Sequence, residues 1–294
     1  MEISAEAVLR QAIFDHLSEL VRETPVVTRQ QLWDFYVDGE QHQLVDRNRG
    51  IRNPRDMVAT LSIMSDPNSK YADEELGGSL FSYAYREGTT AGDNKKLRRA
   101  YELGLPLILL RKIETGVYLP IFPVYAIGDD PDNRRFLIGL DESLRSIKDP
   151  LDLQPLERRY AERVIKQRLH QPEFRGRVLL AYRSECAVCN LKHGALLDAA
   201  HIIADTKPHG SADVDNGLSL CKIHHSAYDL NFLGISPDYE VHINESLLQE
   251  KDGPMLKHGL QEMHGRELSI PSKRAERPAR DRLAERFDEF NREA

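Results

Sequence analysis

Three cysteines, one tryptophan and a deficit of positive charge set the first limits on what this 294-residue chain can be. An odd cysteine count, all between positions 186 and 221, does not suggest disulfides in a reducing compartment, and clustering with histidines suggests a metal instead. No apolar run approaches the ~20 residues that a membrane-crossing helix needs. The first residues, MEISAEAVLRQAIFDHLSEL, carry acids early and lack an apolar core, so no secretory signal is expected and the cytoplasm is the expected compartment. Forty Lys/Arg against 47 Asp/Glu give a formal charge of -7, which excludes a uniformly basic nucleic-acid binder. Only local cationic clusters could meet phosphate. With 40% apolar and 30% charged residues and a mean hydropathy of -0.51, the chain has core-forming material and is not disordered.

Two domains joined by a basic segment are expected: 1–150, a linker over 151–174, and 175–294. The first begins with a helix from an N-cap at Ser4 to Glu23, its apolar face at Val8, Leu9, Ile13, Leu17 and Leu20. From Thr28 to Leu140 short β-prone segments (QLWDFYV, SLFSYAY, PLILLRKI, VYLPIFPVYAI, RFLIGL) alternate with Gly, Asp, Asn and Pro. A helix over Asp93–Leu103, stopped by Gly104 and Pro106, interrupts them. The texture predicts a mixed β-barrel or curved sheet, with Pro120 and Pro123 marking an edge or a bend. From Leu156 to Tyr182 the chain holds seven Lys/Arg and three Glu, and Leu156–His170 reads as a helix. This run is either a solvated face or a phosphate contact. The C-terminal tail ends in an amphipathic helix with Leu283, Phe287 and Phe290, read as a structural brace.

The strongest signal is CAVC at 186–189 followed by CKIHH at 221–225. Two ligand pairs, each with two residues between, can close a tetrahedron of Cys186, Cys189, Cys221 and His224 around zinc. Four protein ligands leave no open position, so such an ion is structural. LLDAAHI (196–202) reads as a strand ending at His201, Gly217–Leu220 as the returning strand, and Lys222–Leu230 as a helix. On that helix His225 points about 100° away from His224, so the two neighbours can serve different metals.

AHI, then DNGLSLC, then HHSAYD resembles the HNH endonucleases of the ββα-metal type, over roughly residues 175–275. The resemblance implies that His201 is the general base activating water, that Asn216 orients the loop carrying His201, and that His225 binds a catalytic divalent ion, Mg²⁺ or Mn²⁺ or a relative. In the wider superfamily a metal-binding Asp or His often precedes the base; here that position is Ala200, so the ion site is expected to be sparse. Asp198 or Asp229 could help or be structural. His193, His209, His242, His258 and His264 are assigned no role.

The N-terminal segment loosely resembles the PUA/SRA-like readers attached to such nucleases, which implies a modified-base pocket. Its candidate residues are Tyr71, Asp73, Tyr83, Tyr85 and Arg86: aromatic faces to stack a base, an acid to accept from an amine, and a cation. An aromatic stripe at Phe81, Tyr83 and Tyr85 fits core packing equally. The expected fold is α+β, a PUA/SRA-like curved sheet plus a C-terminal zinc-stapled ββα-metal HNH domain. The expected function is a modification-dependent restriction nuclease acting on double-stranded DNA as a homodimer. The alternatives are an HNH nuclease of a mobile element or toxin system with a protein-binding N-terminal domain, and a non-catalytic zinc-stapled DNA-binding protein.

Overall fold

The computed structural model describes residues 2–67, 75–76, 80–86, 92–251 and 253–293. The chain divides into two compact units, Met1–Glu173 and Phe174–Ala294. Among the described residues no helix is long and apolar enough to cross a membrane.

The first unit is built on an eight-stranded sheet. Its strands are β1 (Val27–Thr28), β2 (Ile51–Arg52), β3 (Ser62–Ser65), β4 (Glu75–Leu76), β5 (Leu80–Ala84), β6 (Leu107–Glu114), β7 (Val117–Asp130) and β8 (Arg135–Gly139). They run in the order β2-β3-β6-β7-β8-β5-β4, with β1 also on β7, and only the β3–β6 pair is parallel. Strand β7 curls the sheet. Its first half, to Val124, pairs with β6, and its second half, from Tyr125, pairs with β8. Pro123 lies at that change of partner, so the proline marks a bend in a central strand rather than an edge.

The unbroken apolar run of β6 has a simple explanation in period-two geometry. Leu107 and Leu109 face a core shared with Phe81 and Phe136, while Ile108 and Leu110 face a second core with Ile13 and Leu17. A strand covered on both faces needs no polar alternation.

Helix α1 (Ile3–Leu20) begins two residues earlier than expected, from Glu2 without a side-chain cap. Its inward face is also rotated from the expected one. Val8 is 72% exposed, whereas Glu6 and Arg10 are fully buried beside Ile13, Phe14 and Leu17. The buried charges are satisfied together: Arg10 donates to the Glu6 carboxylate and to the carbonyls of Pro106, Ala59 and Thr60, and Glu6 accepts from Val58 N. Segment QLWDFYV, read as β-prone, opens instead as α2 (Arg29–Trp33). A reciprocal capping box between Thr28 and Gln31 decides it, satisfying the first free N–H groups locally. Helix α3 (Asp93–Leu103) ends as expected, at Gly104 in the left-handed conformation (φ 62°). After α4 (Pro155–Ile165) a π-turn over Lys166–His170 leads into α5 (Gln171–Ala181).

In the second unit a hairpin of β9 (Leu197–His201) and β10 (Gly217–Cys221) is followed by α6 (Lys222–Asp229). The hairpin register pairs Leu197 with Cys221 and His201 with Gly217. A second small hairpin, β11 (Leu233–Ile235) and β12 (Val241–Ile243), completes the packing. The C-terminal helix Arg280–Glu293 buries Leu283 and Phe290, and Arg286 reaches the Tyr228 carbonyl at the end of α6.

Candidate functional site

The strand–strand–helix of the second unit gathers most of the residues singled out by sequence. Cys186 and Cys189 sit on a tight turn, closed by Asn190 N donating to Cys186 O and by Asn190 in the left-handed region (φ 60°). Cys221 ends β10, and His224 lies one turn into α6. The four ligand atoms lie within 4.8 Å of one another. His224 Nδ1 is 3.1 Å from Cys221 Sγ and 3.5 Å from Cys186 Sγ. Zinc bonds of ~2.3 Å to sulfur and ~2.0 Å to nitrogen would separate tetrahedral ligands by roughly 3.5 Å, so the donor set fits that ion. The outer shell fits as well. Gly259 O can only accept, so at 2.7 Å it fixes a proton on His224 Nε2 and leaves Nδ1 as the nitrogen that faces the sulfurs. Cys221 N also donates to Cys186 Sγ at 3.3 Å.

Crowding splits the protonation of the cluster. Hydrogen bonds with Cys186 and then Cys221 push the Cys189 thiol up, while bonds with Cys186 and Cys189 pull Cys221 well down. Burial opposes a charged His224, yet the Cys186 and Cys221 sulfurs raise it to about 10. Four donors that stabilise a thiolate among themselves form a group that could hold zinc.

His225, the next residue, points elsewhere. Its Nδ1 lies 3.5 Å from Asp198 and its Nε2 3.3 Å from Asp229. Burial alone would raise the Asp198 carboxyl, but the Lys222 hydrogen bond and the charges of Lys222 and His225 hold it below the usual range. Both carboxylates first read as open between helper and structural roles therefore flank His225. Ala200 is fully buried in the apolar core of the unit, a position where an acid would be desolvated without a partner.

Asn216 is fully buried at the end of the loop that joins the two strands. Its carboxamide pairs with both sides of one residue: Oδ1 accepts from Ile203 N and Nδ2 donates to Ile203 O, each at 2.9 Å. Nδ2 also donates to Ser211 O, and the Asn216 carbonyl accepts from Ile202 N. The two residues after His201 are thereby clamped. His201 itself is half-buried, its ring stacked on Phe174 with centroids 3.9 Å apart and planes 13° from parallel. Phe174 is a site residue that sequence reading did not find. It lies outside the motif, and only the fold brings α5 over the strand end.

In the first unit three of the five pocket candidates lie within the described residues. Tyr71 and Asp73 lie outside the described residues. Tyr83 and Tyr85 are buried in the same core cluster as Phe81. The Tyr83 hydroxyl donates to Gly50 O at 2.9 Å, and the Tyr85 hydroxyl meets Asp129 and Arg98. As placed, both rings are core material. Arg86 is exposed at the end of β5, near Asn94, which accepts from its backbone N.

Residues 186–236 match the family described as HNH endonuclease. No curated protein matches the chain. Among solved structures it is similar to a modification-dependent TagI restriction endonuclease, at 14% identity over 89% of this chain and 90% of that one, with a TM-score of 0.30. It is also similar to the type IV phosphorothioation-dependent restriction endonuclease ScoMcrA, at 16% identity over 60% of this chain and 54% of that one, with a TM-score of 0.23. The chain thus carries an HNH endonuclease domain, the module of a DNA-cutting enzyme, with a Cys3His group that could hold zinc.

Proposed function

We propose that this protein is a metal-dependent DNA endonuclease in which His201 is the general base, Asn216 fixes its loop, and His225 holds a catalytic Mg²⁺ or Mn²⁺ ion. The observation that carries the reading is the divergence of the two adjacent histidines. His224 turns its Nδ1 to the cysteine sulfurs, while His225 faces Asp198 and Asp229. One strand–strand–helix can then present a closed structural centre and a separate, half-exposed nitrogen–oxygen donor set.

A nitrogen beside two carboxylates suits Mg²⁺ or Mn²⁺ better than soft metals. Such an ion, when bound, neutralises charge on the scissile phosphate and helps the 3′ oxygen leave. His201 accepts a proton from the attacking water; Phe174 and Asn216 keep its ring and backbone in place. Cys186, Cys189, Cys221 and His224 hold the structural zinc. The curled sheet of the first unit is the reader that selects DNA, with modified bases as its target class, and two copies act together to cut both strands.

The test is a cleavage panel. Wild type and His201→Ala are incubated with Mg²⁺ or Mn²⁺ on plain, methylated and hydroxymethylated duplex DNA. Wild type is expected to cut, with a preference for a modified substrate, and the variant to be slower by about 10²–10⁴-fold, the usual span for general-base catalysis. Equal cutting by the variant would overturn the role of His201, and indifference to modification would overturn the reader. Sedimentation on cognate duplex reads the dimer.

A further inference from the structure

The chain's single tryptophan lies in neither site described above, and its surroundings are built with care. Trp33 is the last residue of α2 and stays half-buried, while its neighbour Leu32 is fully buried. The Arg47 guanidinium carbon lies 5.1 Å from the centre of the indole. Arg29, Gln30, Trp33 and Arg47 line an open cup of about 450 Å³.

The loop that carries Arg47 is fastened at both ends. Arg29 Nη2 donates to the carbonyls of Asp46 and Arg47, both at 2.6 Å, and its Nη1 donates to the Tyr118 hydroxyl. The Asp46 carboxylate folds the turn by accepting from Asn48 N and Arg49 N. At the far end Gly50 O accepts from the Tyr83 hydroxyl and from Met64 N. Between these anchors Arg47, Asn48 and Arg49 stand exposed. Residues 46–56, DRNRGIRNPRD, hold four arginines against two aspartates in a chain of net charge -7. A cationic loop held rigid over a flat aromatic face is pre-organised for a ligand that is both planar and anionic.

We propose that the Trp33–Arg47 cup binds an unstacked nucleotide of DNA, with the base on the indole and the phosphate on Arg47. The cup offers one aromatic face, over which the Arg47 guanidinium carbon lies at 5.1 Å, so a base stacks there as that guanidinium moves aside to the phosphate. The choice of DNA rests on the nuclease reading; the binding does not involve the nuclease site. Arg29 is a positioning residue, since its N–H groups are directed to the loop. A purely structural Arg47, shielding indole from water, would leave Trp33 indifferent to DNA.

Because Trp33 is the only tryptophan, its emission reports the cup directly. Full-length protein, without added divalent ion, is titrated with a fluorescein-labelled thymidine 12-mer and with a fully paired 12-base-pair duplex. Anisotropy reads binding, and tryptophan emission, followed with the unlabelled strands, reads contact. The expected result is quenching by the single strand, with Trp33→Leu and Arg47→Ala each weakening binding by roughly 10-fold. Arg47→Ala should also lower the salt dependence by about one counterion. Should Trp33→Leu fail to fold, judged by its circular dichroism, the wild-type quenching and Arg47→Ala still decide. DNA that binds by anisotropy without moving Trp33 emission overturns the cup and leaves the nuclease reading standing. Equal quenching by thymidine monophosphate at the same nucleotide concentration overturns DNA as the occupant. Loss of cleavage in the earlier panel with intact quenching overturns the nuclease reading alone.

Discussion

Strand β6 of the first unit and strand β10 of the second both bury an apolar run, yet they are held in different ways. From Leu107 to Leu110 β6 lies between two sheet neighbours, β3 and β7, with an apolar core on either face. All five residues of β10 are equally buried, but its two-stranded sheet gives it only β9 as a partner. Its other edge is served by the cysteine turn. Ala187 N donates to Ser219 O, and Cys221 N donates to Cys186 Sγ. Where the sheet runs out, the cysteine turn takes the place of a third strand. Buried backbone groups need partners in either case, and short hairpins rarely supply enough on their own.

The sharpest way to break this comparison is to remove the zinc proposed for the Cys3His group. Cys189→Ser, or a strong chelator, should cost more than the second unit can bear, because structural zinc contributes on the order of 10 kcal/mol in small domains. Far-UV circular dichroism should lose the second unit's share, while Trp33 emission, which reports the first unit, keeps its own melting transition. A zinc-loaded, folded Cys189→Ser protein would refute both the ligand set and the borrowed edge.

The counterpart in the first unit is Arg10→Ala. It strands the Glu6 carboxylate in a fully buried site and frees three carbonyls. Breaking one side of a buried pair costs about 3–5 kcal/mol. The Trp33 transition should fall accordingly, with zinc content unchanged; a shift below about 1 kcal/mol would show that water reaches the pair. Somewhat smaller is Asn216→Ala. It leaves the N–H and carbonyl of Ile203 and the carbonyl of Ser211 without their carboxamide, which we expect to cost about 3 kcal/mol in the second unit. Cleavage should fall further than stability does, and full activity in this variant would separate loop order from catalysis.

How much of this was legible in sequence follows from how local each signal is. The CAVC and CKIHH spacings, the hairpin around His201 and the divergence of His224 and His225 are set by neighbours a few residues apart. The Gly104 stop of α3 is of the same kind. Helix α2 was misread because a capping box at Thr28 and Gln31 outweighs the β preference of the residues that follow. The rotated face of α1 was hidden because its buried pair, Glu6 and Arg10, finds partners at residues 58–60 and 106. The stripe at Phe81, Tyr83 and Tyr85 fitted either a pocket or a core by its period alone. Only the partners at Gly50 and Asp129 show where those hydroxyls are used.

Phe174 belongs with the long-range signals and gives the finest test of the second unit. Its ring lies on His201, which pairs across the hairpin with Gly217. A Cβ at Gly217 would come within 2.4 Å of Val178 Cγ2 and 3.0 Å of the Phe174 ring, so the glycine leaves the space that the two side chains occupy. Phe174→Leu keeps the apolar volume and removes the stacked face, a loss of about 0.5–1.5 kcal/mol. The melt should fall by only a few degrees, since leucine still fills most of the site. With one wall gone, the imidazole samples other rotamers, and the turnover rate should drop by roughly 10-fold while KM stays put. The His201 ring protons should also lose the upfield shift that a stacked phenyl gives them, and Phe174→Tyr should restore both readouts. Full turnover in Phe174→Leu, with the ring-proton shift lost, would show that Asn216 alone is enough to set His201.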